Sequence, residues 1–390
     1  IRVMKVIGKL ALIALCGVVA AGCGGGDINI EPQTVDNSTD NSVNNSNNTG
    51  ATNPNEACAS YVNSGGQTIE GSFDGQNCRY SPAFADAGNN LTVDLNIPAL
   101  ANGGAHIFEG SLFIGETCET DQCLVDNGLQ EGGDGPVLTI EAGATLAWES
   151  SSNFLIVNRG SQIFAVGRQD APITFTSVSD VNGTLPSFDA VQQWGGIVIN
   201  GFGITNKCSY TPANPASEAD LQTTDCHVDA EGAAGLDESQ YGGDNNNDSS
   251  GRLEYVVVKH TGATVGNGDE LNGISFGGVG RNTIVENLQM YATFDDGIEM
   301  FGGAVNFTNF IALYVRDDSI DIDEGWSGTI TNALVIQAET IGNHCIEADG
   351  IGSHDDLTDA EREARVTQGI NSSPTINNLT CIISPSTVQG

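Results

Sequence analysis

The chain has 390 residues, including 50 glycines, and its 13 basic and 50 acidic residues give a formal net charge of −37 at pH 7. Such an acidic surface repels nucleic acid and anionic lipid and attracts divalent cations, which excludes a nucleic-acid-binding protein. The glycine content favours short strands and tight turns over helices. The attraction for cations has two interpretations: general solubility in a cation-rich medium, or a dedicated cation-dependent role.

The first predicted element is an export signal. A short basic start is followed by an apolar run over residues 10–21, which is too short to span a bilayer and suits a signal peptide. The run ends in Ala20-Ala-Gly-Cys23, which resembles a bacterial lipobox, although Ala20 stands where that motif usually has Leu. The resemblance implies that residues 1–22 are removed and that Cys23 carries several lipid chains. An ordinary secretory leader is the alternative.

The residue after the lipidation site bears on location. Gly24 stands where Asp would retain a lipoprotein in the inner membrane, and this resembles lipoproteins that are sorted to the outer membrane. We therefore expect a lipid-anchored protein of a bacterial outer membrane, on its surface or its periplasmic face.

Two irregular regions follow the leader. Residues 23–57 are mostly Gly, Asn, Ser, Thr and Asp, so they cannot bury a core and are predicted to form a disordered tether. Residues 58–136 lack a clear period, and we expect them to cap the open N-terminal end of the repeats described below.

The cysteines indicate disulfides. Eight remain when the leader and Cys23 are set aside, and an even number in an exported chain favours pairing. Many pairings are possible, and we expect nearest neighbours to pair because they close local loops. These expected pairs are Cys58–Cys78, Cys118–Cys123, Cys208–Cys226 and Cys345–Cys381.

A repeat dominates the second half of the chain. Four asparagines recur at spacings of 22, 23 and 46 residues, and the longest spacing equals two units with an insertion. A fixed period of this length, with alternating apolar and polar residues and glycines between them, indicates a solenoid built from strands. The two repeated patterns are Asn272-Gly-Ile274-Ser-Phe276, Asp296-Gly-Ile298-Glu-Met300, Asp318-Ser-Ile320-Asp-Ile322 and His344-Cys-Ile346-Glu-Ala348, and then Val285-Glu-Asn287, Phe307-Thr-Asn309, Ile330-Thr-Asn332 and Ile376-Asn-Asn378.

The predicted fold is therefore all-β, a right-handed parallel β-helix over residues 137–390 with an irregular, disulfide-containing N-terminal cap. One short helix is expected inside the longest interval, where Thr358 and Glu361 have the spacing of a capping box. The chain stops directly after the predicted strand 380–384 without a polar cap, so we expect the solenoid to continue beyond Gly390.

These patterns carry a family resemblance. The runs LTIEAGATL, WGGIVING, SGRLEYVVVKHTGA and DDGIEMFGGAVN, within residues 137–385, resemble right-handed β-helix proteins of the pectate-lyase-like superfamily. The similarity is greatest to bacterial surface or secreted lipoproteins whose activities are mostly unassigned. The resemblance implies the fold but little about activity, because this scaffold carries lyases, hydrolases and adhesins alike.

A column of carboxylates is the main candidate site. The isoleucines of the first pattern should point inward, so the residue after each must point outward. Rungs lie about 4.8 Å apart, and stacked like charges at that distance are unfavourable unless a cation or raised pKa values relieve them. Ca²⁺ takes six to eight oxygen ligands. The predicted ligands are Glu299, Asp321, Glu347, Asp295 and Asp317, and the alternative is a solvated acidic face.

A second Ca²⁺ candidate is the run that contains Asp244, Asn246 and Asp248, where oxygen ligands occupy alternate positions. It is not an EF-hand, because Ser249 and Tyr255 stand where that loop needs Gly and Glu. A surface turn rich in Asn and Asp is the alternative.

Catalytic residues are not identified. The weak candidates are Arg316, the base nearest the acidic edge in sequence, and Lys259, at the end of an earlier strand. Neither lies in a recognisable lyase motif. We therefore predict a scaffold that binds polysaccharide or surface proteins, with a Ca²⁺-dependent polysaccharide lyase or glycoside hydrolase as the alternative. A cleft in which either base points at the carboxylates would favour the enzyme.

One further set of residues recurs at the repeat interval, and we interpret it as structural. It consists of Asn272, Asp296, Asp318 and His344.

Overall fold

The structure, a computed structural model, describes six stretches of the chain, and the predicted leader, Cys23 and the tether lie outside them. In the described part, no helix has the length and apolar character needed to cross a membrane. The described residues are 58–85, 88–129, 133–230, 239–264, 270–338 and 341–383.

Short strands are the main regular elements of this part. In chain order they are β1 (Ser60–Val62), β2 (Thr68–Glu70), β3 (Ser72–Phe73), β4 (Cys78–Tyr80), β5 (Leu95–Ile97), β6 (His106–Phe108), β7 (Leu112–Ile114), β8 (Val137–Ile140), β9 (Thr145–Trp148), β10 (Leu155–Val157), β11 (Gln162–Val166), β12 (Ile173–Ser177), β13 (Ile197–Asn200), β14 (Val228–Asp229), β15 (Gln240–Tyr241), β16 (Gly251–Lys259), β17 (Ile274–Gly277), β18 (Ile284–Tyr291), β19 (Ile298–Phe301), β20 (Asn306–Leu313), β21 (Ile320–Asp323), β22 (Thr329–Ile336), β23 (Glu347–Ala348) and β24 (Thr375–Ile382).

Helices are few and short. The α-helices are α1 (Asp121–Asp126), α2 (Val178–Val181) and α3 (Asp359–Gln368), and 3₁₀ turns span Glu218–Asp220 and His354–Asp356. The expected insertion helix is confirmed as α3, whose N-cap Thr358 and third residue Glu361 form the predicted capping box.

Two sheets run along the molecule. The seven-stranded sheet has the order β7-β10-β13-β17-β19-β21-β23, and every pair of neighbouring strands in it is parallel. The long sheet follows β4-β6-β9-β12-β16-β18-β20-β22-β24, again in parallel. From β16 onward each coil of the chain gives one strand to each sheet in turn. This is a parallel β-helix, as the repeat predicts.

The inward register also agrees with the sequence pattern. Ile274, Ile298 and Ile320 are paired across neighbouring strands and are fully buried. Alternate strand residues point to the same side of a sheet, so these isoleucines stack along the interior. The last coil departs from this pattern, because Ile346 is half-buried and Ala348 is exposed.

An asparagine ladder marks one corner of the long sheet. Asn287, Asn309, Asn332 and Asn378 all adopt positive φ angles between 56° and 62°. Each later side chain donates from Nδ2 to Oδ1 of the preceding one at 3.0 Å. Asn tolerates this backbone conformation better than most residues, which explains why it recurs at this point of the coils from β18 to β24.

The N-terminal region contributes to both sheets. β6 pairs with β9 of the long sheet, and β7 pairs with β10 of the seven-stranded sheet, so the parallel ladders extend upstream of residue 137. Strands of three residues are too short to produce a period in the sequence. The structure joins the eight cysteines in the four nearest-neighbour pairs expected from the sequence.

Candidate cation-binding face

The outward column of the seven-stranded sheet changes character along the molecule. Phe113, Ile156 and Val198 occupy it in β7, β10 and β13, and all three are buried in a second apolar cluster that includes Tyr241 and Leu271. From β17 onward the column is polar. The later residues, paired one rung after another, are Ser275, Glu299, Asp321 and Glu347. The alignment of the three carboxylates is the one expected from the repeat.

Three carboxylates meet at the centre of this face. One oxygen from each of Asp296, Glu299 and Asp321 lies within 4.8 Å of the others. Asp296 and Glu299 are each only 7% exposed, and Asp321 is half-buried. Three acidic groups with so little access to water form a strongly negative pocket of oxygen donors. We call Asp296, Glu299 and Asp321 the acidic triad.

The remaining predicted ligands fall into other groups. Oxygens of Asp295 and Asp317 lie close to Asp296, again within 4.8 Å. Glu347 continues the column but is grouped with Asp318 and His344 rather than with the acidic triad. The single set of five ligands expected from the sequence is therefore divided, and Asp296 connects two of the resulting groups.

Burial raises the pKa values of these carboxyls. It raises the pKa of Asp296 to about 10, and the charges of Asp295 and Asp321 add to the effect. It raises the pKa of Asp321 to about 6, against the opposing effect of a hydrogen bond from the N–H of Ile322. It also raises the pKa of Asp323, next along β21, to about 7. Without a counterion, part of this face holds protons at neutral pH.

Asp296 has a structural role as well. The Oδ1 of Asn272 accepts the N–H of Asp296 at 3.1 Å, and the Oδ1 of Asp296 accepts the N–H of Asp318 at 2.9 Å. Asp318 in turn accepts the N–H of His344. This column ties each turn to the next, as the sequence interpretation expects. Asp296 also belongs to the acidic triad, and the repeat interval that it shares with Asp318 is the signal in the sequence that points to it.

The two candidate bases make their described contacts elsewhere. The ammonium of Lys259 forms an ion pair with Asp180. Arg316 donates from Nη2 to the carbonyl of Asp189 at 3.4 Å. Both partners belong to the segment that follows β12 and crosses the strand ends of the long sheet. Neither of these described contacts is made to a carboxylate of the outward column.

The second Ca²⁺ candidate has a different arrangement. Asn246 Oδ1 accepts the N–H of Ile204 at 2.8 Å, and Asp248 Oδ2 accepts the N–H of Phe202 at 3.0 Å. Asp244 accepts the N–H of Thr223 at 3.1 Å. Asn246 and Asp248 are also buried, so these side chains brace the turn after β13. The contacts favour the structural alternative for this run.

The repeat pattern assigns no partner to Glu324, which is one of the most buried acidic residues of the described chain. It follows β21 and is 3% exposed, with a φ of 56° at the position where the two preceding rungs have glycine. Its Oε2 accepts hydrogen bonds from Tyr241 Oη at 2.6 Å and from Thr205 Oγ1 at 2.8 Å. A non-glycine residue in this conformation costs about 1–2 kcal/mol, and the two hydroxyl donors offset that strain. Glu324 thereby joins the covered part of the face to the open acidic part.

A comparison with known proteins places the chain by family. The family model for a pectate-lyase-like β-helix domain matches residues 127–389. No curated protein and no solved structure matches the chain.

Proposed function

The chain belongs to the pectate-lyase-like β-helix family, and on that premise we propose that it is a binding scaffold whose outward acidic face takes a divalent cation, Ca²⁺. The observation that carries the proposal is the acidic triad, in which three mostly buried carboxylates lie within 4.8 Å of one another. A cation at their centre would neutralise charges that otherwise require protons.

The chemistry of the donors supports Ca²⁺. All three members of the triad offer carboxylate oxygens, which are the ligands that hard cations prefer. Ca²⁺ needs more oxygens than three carboxylates supply at one each, so water or a bound polymer would complete its coordination. A polysaccharide or the surface of another protein could reach the cation directly, because Asp321 and Glu347 lie toward the open part of the face.

The location belongs to the same proposal. We infer from the leader that Cys23 is lipidated and that the scaffold is held at the bacterial outer membrane by a lipid anchor. Fractionation of cells that express the Cys23→Ser variant tests this. Protein that stays with the membranes after a high-salt wash would refute the anchor.

The cation is tested by thermal melting of the protein after treatment with chelator. Millimolar CaCl₂ should raise the melting temperature more than NaCl of the same ionic strength, because a ligand that binds only the folded state adds about 2.7 kcal/mol at 100 times its Kd. The double variant Glu299→Gln, Asp321→Asn should melt higher than the wild type without Ca²⁺ and lose the specific response.

A charge-matched control separates a site from general screening. Asp355 and Glu363 are exposed acidic residues, with Asp355 in the 3₁₀ turn and Glu363 in α3. The double variant Asp355→Asn, Glu363→Gln changes the net charge equally and should keep the full Ca²⁺ response. Equal shifts from CaCl₂ and NaCl, unchanged in both double variants, would reduce the face to a solvated acidic surface.

One observation favours a second candidate, glycoside hydrolysis. Asp321 and Asp323 point outward from the same strand with pKa values of about 6 and about 7, in the range that suits a general acid at neutral pH. Release of reducing sugar from a polysaccharide panel, abolished by Asp323→Asn, would support it. No release from any member of the panel would leave binding as the function.

A further inference from the structure

The chain has five histidines, of which three are largely buried and two are exposed. All five lie in the described residues, and His106, His227 and His260 are largely or fully buried. His344 and His354 each have 57% of the side chain exposed. His354 lies in a 3₁₀ turn beside a single exposed carboxylate, that of Asp355. His344 lies instead at the end of the acidic face.

The surroundings of His344 form a three-residue donor set. One donor atom from each of Asp318, His344 and Glu347 lies within 4.8 Å of the others. The Nδ1 of His344 is 3.0 Å from Oδ1 of Asp318, a side chain that is only 2% exposed. These residues come from two successive coils, Asp318 before β21 and the other two from the turn and strand of β23.

A buried side-chain amide beside this group has a partner for its nitrogen but none for its oxygen in the described residues. Gln337, which follows β22 and is 3% exposed, donates from Nε2 to the carbonyl of His344 at 2.9 Å. Its Oε1 is buried and has no hydrogen-bond partner in the described part of the chain. A buried polar atom without a partner is costly, and this one belongs to the side chain that holds the main chain of His344.

We propose that Asp318, His344 and Glu347 bind a transition-metal ion, with Zn²⁺ as the expected occupant. The set combines one imidazole nitrogen with two carboxylates, and imidazole favours Zn²⁺ and its neighbours over Ca²⁺. The column that supplies Asn and Asp in the earlier coils supplies His only here, so the nitrogen donor is specific to this coil. The site is distinct from the acidic triad, which offers oxygen donors alone.

The position of the site suggests what the ion does. It would join β21 to β23, where the inward packing weakens because Ile346 and Ala348 are not buried. Binding to the folded state alone would stabilise this coil by mass action. The ion thus acts where the hydrophobic core contributes least.

The test uses the full chain, stripped of metal with chelator, and Co²⁺ as a spectroscopic probe that Zn²⁺ displaces. The wild type should bind one equivalent of Co²⁺ with visible absorption, and Zn²⁺ should abolish that signal. His344→Gln and Glu347→Gln should each weaken Zn²⁺ binding about 10-fold or more, the range seen when a metal site loses a supporting group. Both side chains are exposed, so these variants are expected to fold.

His354→Gln is the matched control, because His354 has the same exposed fraction and a carboxylate partner of its own. It should leave Zn²⁺ affinity unchanged. Equal affinities for His344→Gln and the wild type, or equal losses in the two histidine variants, would overturn the proposal. Failure here is separable from failure of the Ca²⁺ proposal, because His344→Gln should keep the Ca²⁺ response and Glu299→Gln, Asp321→Asn should keep Zn²⁺ binding.

Discussion

The two halves of the seven-stranded sheet share one backbone geometry and differ in what covers them. In β7, β10 and β13 the outward column is apolar and buried beneath residues such as Tyr241 and Leu271. In β19, β21 and β23 the same column is acidic and increasingly open to solvent. The ladder of hydrogen bonds is parallel throughout. Register alone therefore does not decide the chemistry of the outward face.

Chain length between strands accounts for the difference. The segment between β13 and β16 is long, carries the Cys208–Cys226 disulfide and packs back over the early rungs. The coils from β18 to β22 repeat every 22 or 23 residues and leave no chain to cover the sheet. Apolar side chains are stable only under the first arrangement, and charges are tolerated only under the second.

The largest effects are expected when residues are exchanged between the halves. Val198→Asp places a charge in a covered position that is 2% exposed, and it should cost about 3–5 kcal/mol of unfolding free energy. Asp321→Val makes the reverse change on the open half and should cost less than about 1 kcal/mol, because it removes a repelled charge. Denaturant unfolding in the presence of chelator measures both.

The inward column supplies the control for that exchange. Ile320 is fully buried on the same strand as Asp321, so Ile320→Asp should destabilise the chain as much as Val198→Asp does. If Val198→Asp were instead as mild as Asp321→Val, the cover over the early rungs would not be a packed interface.

The pH dependence should differ in sign between the open acidic face and a buried histidine of the N-terminal region. Asp321 and Asp323 have folded pKa values of about 6 and about 7, above the ordinary 3.8, because of burial and their acidic neighbours Glu324, Glu347 and Asp349. The folded chain then holds protons that the unfolded chain has released, so this contribution to stability falls as pH rises from about 4 to about 7. Burial lowers the pKa of His106 to about 4, so its contribution is instead lost as pH falls below about 6.5.

Chemical denaturation across that pH range, with chelator present, separates the two effects. The variant Asp321→Asn, Asp323→Asn should gain about 2 kcal/mol over wild type at pH 7 relative to pH 4, allowing for partial solvent screening. A difference between the two proteins that does not change with pH would mean that these carboxyls titrate normally.

The C-terminal half could be predicted from the sequence because its rungs are short and uninterrupted. Ile298 and Ile320, and Asn309 and Asn332, recur at intervals that match one coil, so the strands, the inward column and the asparagine corner could all be placed. Only the outward neighbour of each isoleucine was then needed to find the carboxylate column. The regular spacing of residues along the sequence was therefore enough to predict this part of the fold.

The N-terminal half could not be placed in the same way, because long-range contacts define it. Arg159 looks in the sequence like an ordinary surface charge. In the structure it is 3% exposed and donates to the carbonyls of Cys118 and Cys226, which holds two disulfide loops together. The guanidinium also lies over the ring of Phe202, 5.4 Å from its centroid. No repeated spacing in the sequence predicts contacts between residues as far apart in the chain as Arg159 and Cys226.

The candidate cation site could be predicted only in part, because some of its members are brought together by long-range contacts. The column that contains Glu299 and Asp321 follows from strand alternation, but the inclusion of Asp296 depends on how the preceding turn curves toward the sheet. His344 belongs with Asp318 because one coil stacks on the next, across an interval of 26 residues. Alternation predicts which face a residue occupies, whereas distances between turns and strands require the folded chain.

The smallest expected effect concerns Tyr255 in β16, the strand at which the regular coils begin. Its neighbours in β16 pair with those of Asn287 in β18, which places Tyr255 at the head of the asparagine ladder. Its φ is 49°, a conformation that Asn accepts more readily than Tyr. Tyr255→Asn should relieve strain and accept a hydrogen bond from Asn287, for a gain of about 1 kcal/mol after the loss of partly buried ring area.

Two further substitutions separate the components of that gain. Tyr255→Gly relieves the backbone but supplies no amide, and Tyr255→Ala does neither, so stability should follow the order Asn, Gly, Ala. Denaturant midpoints at constant m-value measure the order. An alanine variant as stable as the asparagine variant would show that the ladder adds nothing at this coil, and that the regular half owes its stability to the inward column alone.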